Sequence, residues 1–272
     1  MKAFYQHKTI LVTGAASGIG NHFCERVASL GPCRLILWDR NPDILKTFAA
    51  GLPGHAEVRW ADVDVANAEA IRREAEQLLD DDWLPDLVVN CAGVVRDGYF
   101  HELDSASIGS TIAINTTGSM WVVHAFLPEM ILRGSGHVVN IASASGYIGN
   151  PRMSVYAASK WAVIGWSESL RLEMKRLATG VNVTVVIPSY IQTGMFDGVK
   201  PPLLVPILTT EAIVTKMLRG IARGAFRIQA PFMVRFVPLL KAVLPTAAFD
   251  WLAGGVLGVY NSMDTFRGRI KK

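Results

Sequence analysis

Tyr156-Ala157-Ala158-Ser159-Lys160 sets a phenol and an ammonium four residues apart. On a helix that spacing puts both groups on one face, a turn from each other. A cation beside a phenol favours the phenolate and lowers its pKa, so the pair is suited to moving a proton on and off a substrate oxygen. Thirteen residues before Tyr156, Ser143 closes the run His137-Val-Val-Asn-Ile-Ala142 and carries a hydroxyl to the end of a strand. Asn115 falls inside a long helical segment. An Asn is mildly unfavourable there and asks for a local reason.

A second constellation stands near the start of the chain. Thr13-Gly14-Ala15-Ala16-Ser17-Gly18-Ile19-Gly20 follows a β-branched run and opens a helix. Gly14 allows a sharp turn, Gly18 lets backbone approach a pyrophosphate, and Gly20 lets the helix pack on the sheet. The anion then rests on the helix N-terminus, where N–H groups and the positive dipole end point at it. The next strand ends in Leu37-Trp38-Asp39-Arg40, about 20 residues past the last glycine. A carboxylate there accepts hydrogen bonds from ribose hydroxyls and repels a 2′-phosphate, which favours NAD over NADP. Arg40 is the group that could instead reach a phosphate.

These groups need a scaffold that brings strand ends together, and the hydropathy pattern supplies one. Strands are expected at 9–13, 34–38, 57–61, 86–90, 137–142 and 181–187. Helical spacing falls between them at 19–30, 42–50 and 67–79, and over the longer segments 104–132 and 154–178. Nearly continuous apolar strands alternating with helices imply an α/β fold, a doubly wound parallel sheet of Rossmann type, with ligands beyond the carboxyl ends of the strands.

Half of the 272 residues are hydrophobic and 18% are charged, which excludes disordered, collagen-like and coiled-coil chains. No linker splits the chain, so one domain over 1–230 with a tail at 231–272 is expected. Cys24, Cys33 and Cys91 have no metal-ligand spacing and read as reduced core thiols, so no metal is expected. No export signal and no stretch of about 18 uncharged apolar residues is present. A cytoplasmic location follows as the expectation.

The net charge of +4 is concentrated in the tail, where Arg235, Lys241, Arg267, Arg269, Lys271 and Lys272 face two acids, Asp250 and Asp264. That asymmetry does not describe a nucleic-acid binder. Pro231, Pro238 and Pro245 break the tail into short helices. Its apolar residues and scattered cations fit either an interfacial membrane contact or a cap over the substrate mouth. In the first case Phe232, Phe236, Leu240, Phe249 and Trp251 are expected to face lipid. The apolar stretch from Met195 through Phe196, Val199 and Leu203 to Leu208 reads as a lid over a hydrophobic substrate, or as residues packed into the domain.

Taken together, Thr13 to Gly20, Asp62-Val63, Asn90-Cys91-Ala92-Gly93, Asn115, Ser143, Tyr156 with Lys160, and Pro188 to Thr193 resemble the short-chain dehydrogenase/reductase family over residues 8 to about 230. The tail and the Trp38-Asp39 strand end weakly resemble its steroid and retinol dehydrogenases. The resemblance implies that Tyr156 is the general acid/base, Lys160 holds the nicotinamide ribose and tunes Tyr156, and Ser143 polarises the substrate oxygen. Asn115 then supports a water relay to Lys160. It also implies that Asp62 contacts adenine, that Asn90 lines the cofactor, and that Ile191 and Thr193 touch its carboxamide end. Gly14, Ser17, Gly18, Ile19, Gly20, Asp39, Arg40, Val63, Ala92, Gly93 and Pro188 complete the expected cofactor contacts. Cys91 stands where the family has a second Asn, and Ser189 where it has Gly.

The expected function is NAD(H)-dependent interconversion of a secondary alcohol and a ketone on a small hydrophobic substrate of steroid, retinoid or lipid type. The alternatives are an NADP-dependent carbonyl reductase and a catalytically silent nucleotide-binding sensor. A homodimer or homotetramer through the two long helices is expected from the resemblance.

Overall fold

Short aliphatic runs form seven strands: β1 Thr9–Thr13, β2 Cys33–Asp39, β3 Ala56–Asp62, β4 Leu87–Asn90, β5 Gly136–Ile141, β6 Val181–Pro188 and β7 Arg227–Ala230. In the computed structural model, which describes residues 1–268, they make one parallel sheet in the order β3-β2-β1-β4-β5-β6-β7. Parallel neighbours need crossovers, and helices supply them. A turn α1 (Lys2–Tyr5) precedes the sheet. The helices that follow are α2 Gly18–Ala28, α3 Pro42–Ala50, α4 Ala68–Asp80, α5 Ser105–Ile112, α6 Gly118–Arg133, α7 Ser154–Arg176 and α8 Thr210–Ala222. The chain leaves β1 in one direction towards β3 and returns to pair β4 with β1 on the other side. That reversal opens a crevice beyond the carboxyl ends of β1 and β4.

Strand alternation divides the core even though the central strands β1, β2 and β4 are nearly continuous apolar runs. Ile10, Val12, Leu35 and Leu37 pack with Phe23 and Val27 of α2 and Ile213 and Met217 of α8. Leu11, Ile36 and Trp38 face the other way, onto Ile71 of α4, Val122 and Phe126 of α6 and Leu170 of α7. Full burial of each such side chain contributes roughly 1.5–3 kcal/mol relative to exposure.

The structure departs from the sequence reading at three places. The segment 104–132 is not one helix: α5 passes through a π turn, Ala113–Thr117, before α6 begins. Gly118 lies so close to the loop after β3 that a Cβ there would sit 2.6 Å from the Val65 carbonyl oxygen, so the helix takes an extra residue as it passes. Helix α8 and strand β7 are additional to the elements read from the sequence. Arg-Ile-Gln-Ala is short and half polar, and it becomes a strand because β6 offers a free edge. The tail is broken into short helices at its prolines, as expected, but its apolar residues do not all face outward. Pro238 lies in the first turn of α9 (Val237–Val243), and Pro245 caps α10 (Thr246–Asp250), since a missing N–H costs nothing at a helix start. Phe249 is buried and Leu240 half-buried, so only Phe232, Phe236 and Trp251 of the five expected lipid-facing residues are exposed. Arg269, Lys271 and Lys272 lie outside the described residues.

His137 shows how the sheet interior treats a titratable group. Thr184 gives its hydroxyl proton to the Ala225 carbonyl at 2.7 Å, so His137 Nε2, 2.8 Å from the Thr184 oxygen, must be the donor. Burial lowers the His137 pKa from 6.5 to about 4. Between those values the unfolded chain binds more protons than the folded one, so stability present above pH 6.5 is lost as the pH falls towards 4. The loss reaches roughly 3 kcal/mol. Urea unfolding at pH 7 and pH 4.5 checks it, with a clearly smaller difference expected for His137→Gln.

Candidate active site

The crevice is built first by glycine geometry. Gly14 adopts φ +67°, and a Cβ there would lie 2.8 Å from the Ala92 amide nitrogen. A Cβ on Gly20 would lie 2.5 Å from the Gly14 carbonyl oxygen, so the turn and the start of α2 touch backbone to backbone. A Cβ on Gly18, also at positive φ, would meet the Thr193 side chain at 3.4 Å. The glycine turn, Ala92 after β4 and Thr193 after β6 are thereby gathered at one edge. Thr13 helps by accepting the Ala92 N–H through its hydroxyl at 3.2 Å. Ser17 and Ile19 flank Gly18 at the N-terminus of α2, whose first N–H groups have no acceptor inside the helix.

Asp39 ends β2 beside this turn and is buried. One carboxylate oxygen accepts the Ala16 N–H at 3.0 Å, and the other accepts the Asn41 backbone and side-chain N–H groups at 3.1 and 3.0 Å. The carboxylate is fixed against the turn before any ribose arrives. Arg40 points into solvent, and Asp62, exposed at the end of β3, is level with Asp39 across the strand pair. Val63 is buried and donates its N–H to the Asp39 carbonyl. Asn90, at the end of β4, donates to the Asn140 side chain at 2.9 Å, while its own Oδ1 is buried without a hydrogen-bond partner.

The second cluster forms where β5 and α7 meet. Tyr156 and Lys160 lie on one buried face of α7 as their spacing requires, with Nζ 5.8 Å from the Tyr156 ring centre. Lys160 donates to the Ile141 carbonyl at 2.8 Å, just before Ser143. Ser143 caps a short turn by accepting the Ser145 N–H and hydrogen-bonds to Tyr156.

Asn115 occupies the π turn and explains its own position. Its Oδ1 accepts the Val94 N–H at 2.8 Å, and its Nδ2 donates to the Val94 carbonyl and to Ser159 on α7. It pins the loop after β4 to α7. In that loop a Cβ on Gly93 would come within 3.8 Å of Lys160 Nζ. The glycine turn and the segments after β4, β5 and β6 are thus gathered at one edge of the sheet, while Arg40 and Asp62 stay exposed. Pro188 ends β6, and Ile191 is buried and bridges to Leu208.

The electrostatics correct one expectation. The Tyr156 pKa is pushed up to about 12, because burial outweighs the hydrogen bond from Ser143. The same burial lowers Lys160 to about 8. Both groups are shifted towards their neutral forms, as a dry site demands.

Tyr190, Met153, Met263 and Phe266 escaped the sequence reading, and they join Phe196 and Val199 of the expected lid. Tyr190 and Phe196 stand edge to face at 5.4 Å, and Phe196 stands against Tyr156 at 6.3 Å. Met153, Val199 and Met263 complete the apolar cluster, with Phe266 against it. Residues around 190–199 and 262–266 therefore close over Tyr156. The apolar character of the lid segment was visible in the sequence, but nothing local tied Met263 to it.

A family model for the short chain dehydrogenase matches residues 8–203. Epidermal retinol dehydrogenase 2 of Mus musculus is 33% identical over 268 residues, covering 97% of this chain and 86% of that protein. Estradiol 17-beta-dehydrogenase 11 of Macaca fascicularis is 34% identical over 238 residues, covering 87% and 79%. A short chain dehydrogenase/reductase from Burkholderia phymatum, solved with NAD, superposes with a TM-score of 0.78 at 26% identity, covering 88% of this chain and 94% of that one. One from Sphingobium yanoikuyae, solved with NADPH, gives 0.72 at 27%, covering 97% and 98%.

Proposed function

Since the chain belongs to the short-chain dehydrogenase family, we propose that this oxidoreductase interconverts a secondary alcohol and a ketone on a small hydrophobic substrate, with NAD(H) as its cofactor. The observation that carries the reading is the convergence of Ser143, Tyr156 and Lys160 in one dry cluster under Phe196 and Tyr190. The crevice fits a dinucleotide because Gly18 leaves open the space a Cβ would fill opposite Thr193, next to the α2 N-terminus. In this reading Gly14, Ser17, Gly18, Ile19 and Gly20 hold the pyrophosphate, Asp39 with Arg40 nearby the adenosine ribose, and Asp62 and Val63 the adenine. Asn90, Ala92, Gly93, Lys160, Pro188, Ile191 and Thr193 line the nicotinamide half. The nicotinamide, when bound, supplies or accepts the hydride.

For reduction, Tyr156 donates its phenolic proton to the carbonyl oxygen as the carbon receives the hydride, and Ser143 holds that oxygen in place. A phenol with a pKa near 12 is fully protonated at neutral pH and ready for this step. For oxidation the same groups run in reverse: Tyr156 acts as its phenolate and takes the hydroxyl proton, with the Lys160 ammonium one turn away. Asn115 acts as a positioning residue by holding the Val94 loop beside Lys160. Spectrophotometric NADH formation with a panel of secondary alcohols tests the assignment. Cofactor binding with no turnover of any of them supports a silent nucleotide sensor instead.

The position of Asp39 favours NAD over NADP. Asp39→Ala removes a charge that repels a 2′-phosphate, together with hydrogen bonds worth roughly 0.5–1.5 kcal/mol each. The ratio of NAD to NADP affinity is expected to fall about tenfold or more. A parent protein that binds NADP more tightly than NAD overturns the assignment and directs attention to Arg40.

Two surfaces extend the reading to partners. Trp121 on α6 and Trp161 on α7 are partly exposed, as a self-associating face requires. Phe232 and Phe236 stand edge to face beside Arg235, and Trp251 is also exposed in the tail, a pattern suited to an anionic membrane surface, while Met263 and Phe266 of the same tail pack in the cluster with Tyr156. No helix of the described residues is long and apolar enough to cross a membrane. A light-scattering mass of two or four chains, and co-sedimentation with anionic vesicles that weakens at high salt, are the expected results.

A further inference from the structure

The end of the tail is hydrogen-bonded to the lid segment at four points. The backbone N–H of Lys200 donates to the Ser262 carbonyl at 3.1 Å, that of Leu203 to the Leu257 carbonyl at 2.8 Å, and that of Arg267 to the Asp197 carbonyl at 2.9 Å. The Thr265 hydroxyl donates to the Gly198 carbonyl at 2.6 Å. Gly198 permits this closeness: it adopts φ +83°, and with no Cβ it lets the Thr265 carbonyl lie directly against it.

Three buried polar side chains then tie tail and lid to the loop before α7. Ser262 is 1% exposed, and its hydroxyl donates to the Val259 carbonyl at 2.6 Å. A hydroxyl has one proton, so towards its other neighbours Ser262 Oγ can only accept. The Tyr190 hydroxyl, 2.7 Å away, is therefore the donor in that pair, and Asn150 Nδ2 donates to the same oxygen at 2.9 Å. Asn150 Nδ2 also donates to the Tyr190 oxygen at 3.2 Å. The ring of three has one proton arrangement, and in it the Tyr190 proton is committed to Ser262. A buried network of this kind fixes its members relative to one another.

Each member leads directly to the cover over Tyr156. Met263 follows Ser262 and is itself 1% exposed, Met153 follows Asn150 by three residues, and Met153, Tyr190, Val199 and Met263 pack in one cluster with Tyr156. We propose that Ser262 is a positioning residue for the reaction at Tyr156: by accepting from Tyr190 and Asn150 it seats Met263 and the lid against the phenol, so that the tail completes the pocket. The inference rests on the reading of Tyr156 as the acid/base. It makes one tail hydroxyl part of the working site. The segment expected to meet the nicotinamide has bonds of its own, from the Gln192 N–H to the Leu208 carbonyl and from the Leu208 N–H to the Tyr190 carbonyl, both at 2.9 Å. Loss of Ser262 should therefore act on turnover and spare cofactor binding.

Ser262→Ala leaves the Tyr190 proton buried without its acceptor. With 2-octanol and NAD, kcat per NADH-binding site is expected to fall about tenfold or more, since displacing a reacting group by about 1 Å costs up to about 100-fold. NADH affinity should stay within about twofold. Tyr190→Phe breaks the same bond, so the double variant is expected to be no slower than the slower single variant. Additive losses overturn the proposal, as does a Ser262→Ala enzyme with lowered Tm and the parent kcat, which would make Ser262 merely structural. Tyr260→Phe is the control: it removes another tail hydroxyl, bonded to Asp250 at 2.6 Å and not to the lid, and should keep the parent kcat. An equal loss there would assign the effect to any loosening of the tail and overturn the role of Ser262. Hydrogen–deuterium exchange gives a readout that needs no turnover. Faster exchange across 197–203 in Ser262→Ala supports the proposal, and parent-like exchange overturns it. Faster exchange in a protein that oxidises no alcohol would keep the clasp and remove the oxidoreductase reading instead.

Discussion

Tyr156→Phe is expected to reduce kcat by roughly 100- to 10,000-fold, the usual contribution of a general acid/base. NADH affinity should stay within a few fold. The ring itself belongs to the apolar cluster with Met153, Tyr190 and Val199 and stands edge to face with Phe196, and Phe preserves both arrangements. What disappears is the transferable proton and the partner of Ser143. Stopped-flow hydride transfer together with NADH fluorescence titration separates the two effects. A variant that turns over at the parent rate takes Tyr156 out of the mechanism, and a variant that loses NADH binding shows that its role is structural.

Gly14→Ala is expected to disable cofactor binding from the opposite side of the crevice. An L-residue at φ +67° carries roughly 1–2 kcal/mol of strain. The new methyl would also sit 2.8 Å from the Ala92 amide nitrogen and 2.9 Å from its Cα. Both neighbours are backbone, so relief requires moving β1 and the loop after β4 apart, and that widens the gap over which the pyrophosphate is held. NADH affinity should fall by at least about tenfold, equivalent to 1.4 kcal/mol, and Tm by about 5 °C or more. Gly165→Ala in α7 is the control, because its Cβ meets nothing within 4 Å and alanine favours a helix. Unchanged NADH affinity in Gly14→Ala would falsify the place given to this turn.

The alternation of short apolar strands and helically spaced segments was enough to imply a parallel sheet, because continuous apolar runs and period 3.6 are properties of the chain alone. Thr13 to Gly20 and Tyr156 with Lys160 were legible for the same reason. Their partners are a few residues away, so spacing dictates which face or turn they share. Asn115 was conspicuous as a polar residue in a helix, and its reason appeared only once the π turn, the Val94 loop and α7 came together. Strand β7 depended on the β6 edge, and no local pattern in Arg-Ile-Gln-Ala announces it.

The sequence by itself determined the family, the sheet and the identity of the groups that could move a proton or cradle a phosphate. The tertiary structure alone decided how those groups behave. Spacing predicts that Lys160 lowers the Tyr156 pKa, yet burial raises it to about 12 and lowers Lys160 to about 8. Desolvation depends on what covers a residue, and the cover here comes from Phe196, Tyr190 and Met263, which lie up to 107 residues farther along the chain. The tail presented two readings that composition could not separate. The fold buries Phe249 and Met263 and leaves Phe232, Phe236 and Trp251 in contact with solvent. Hydropathy counts apolar side chains, whereas only packing decides which of them find a partner within their own chain.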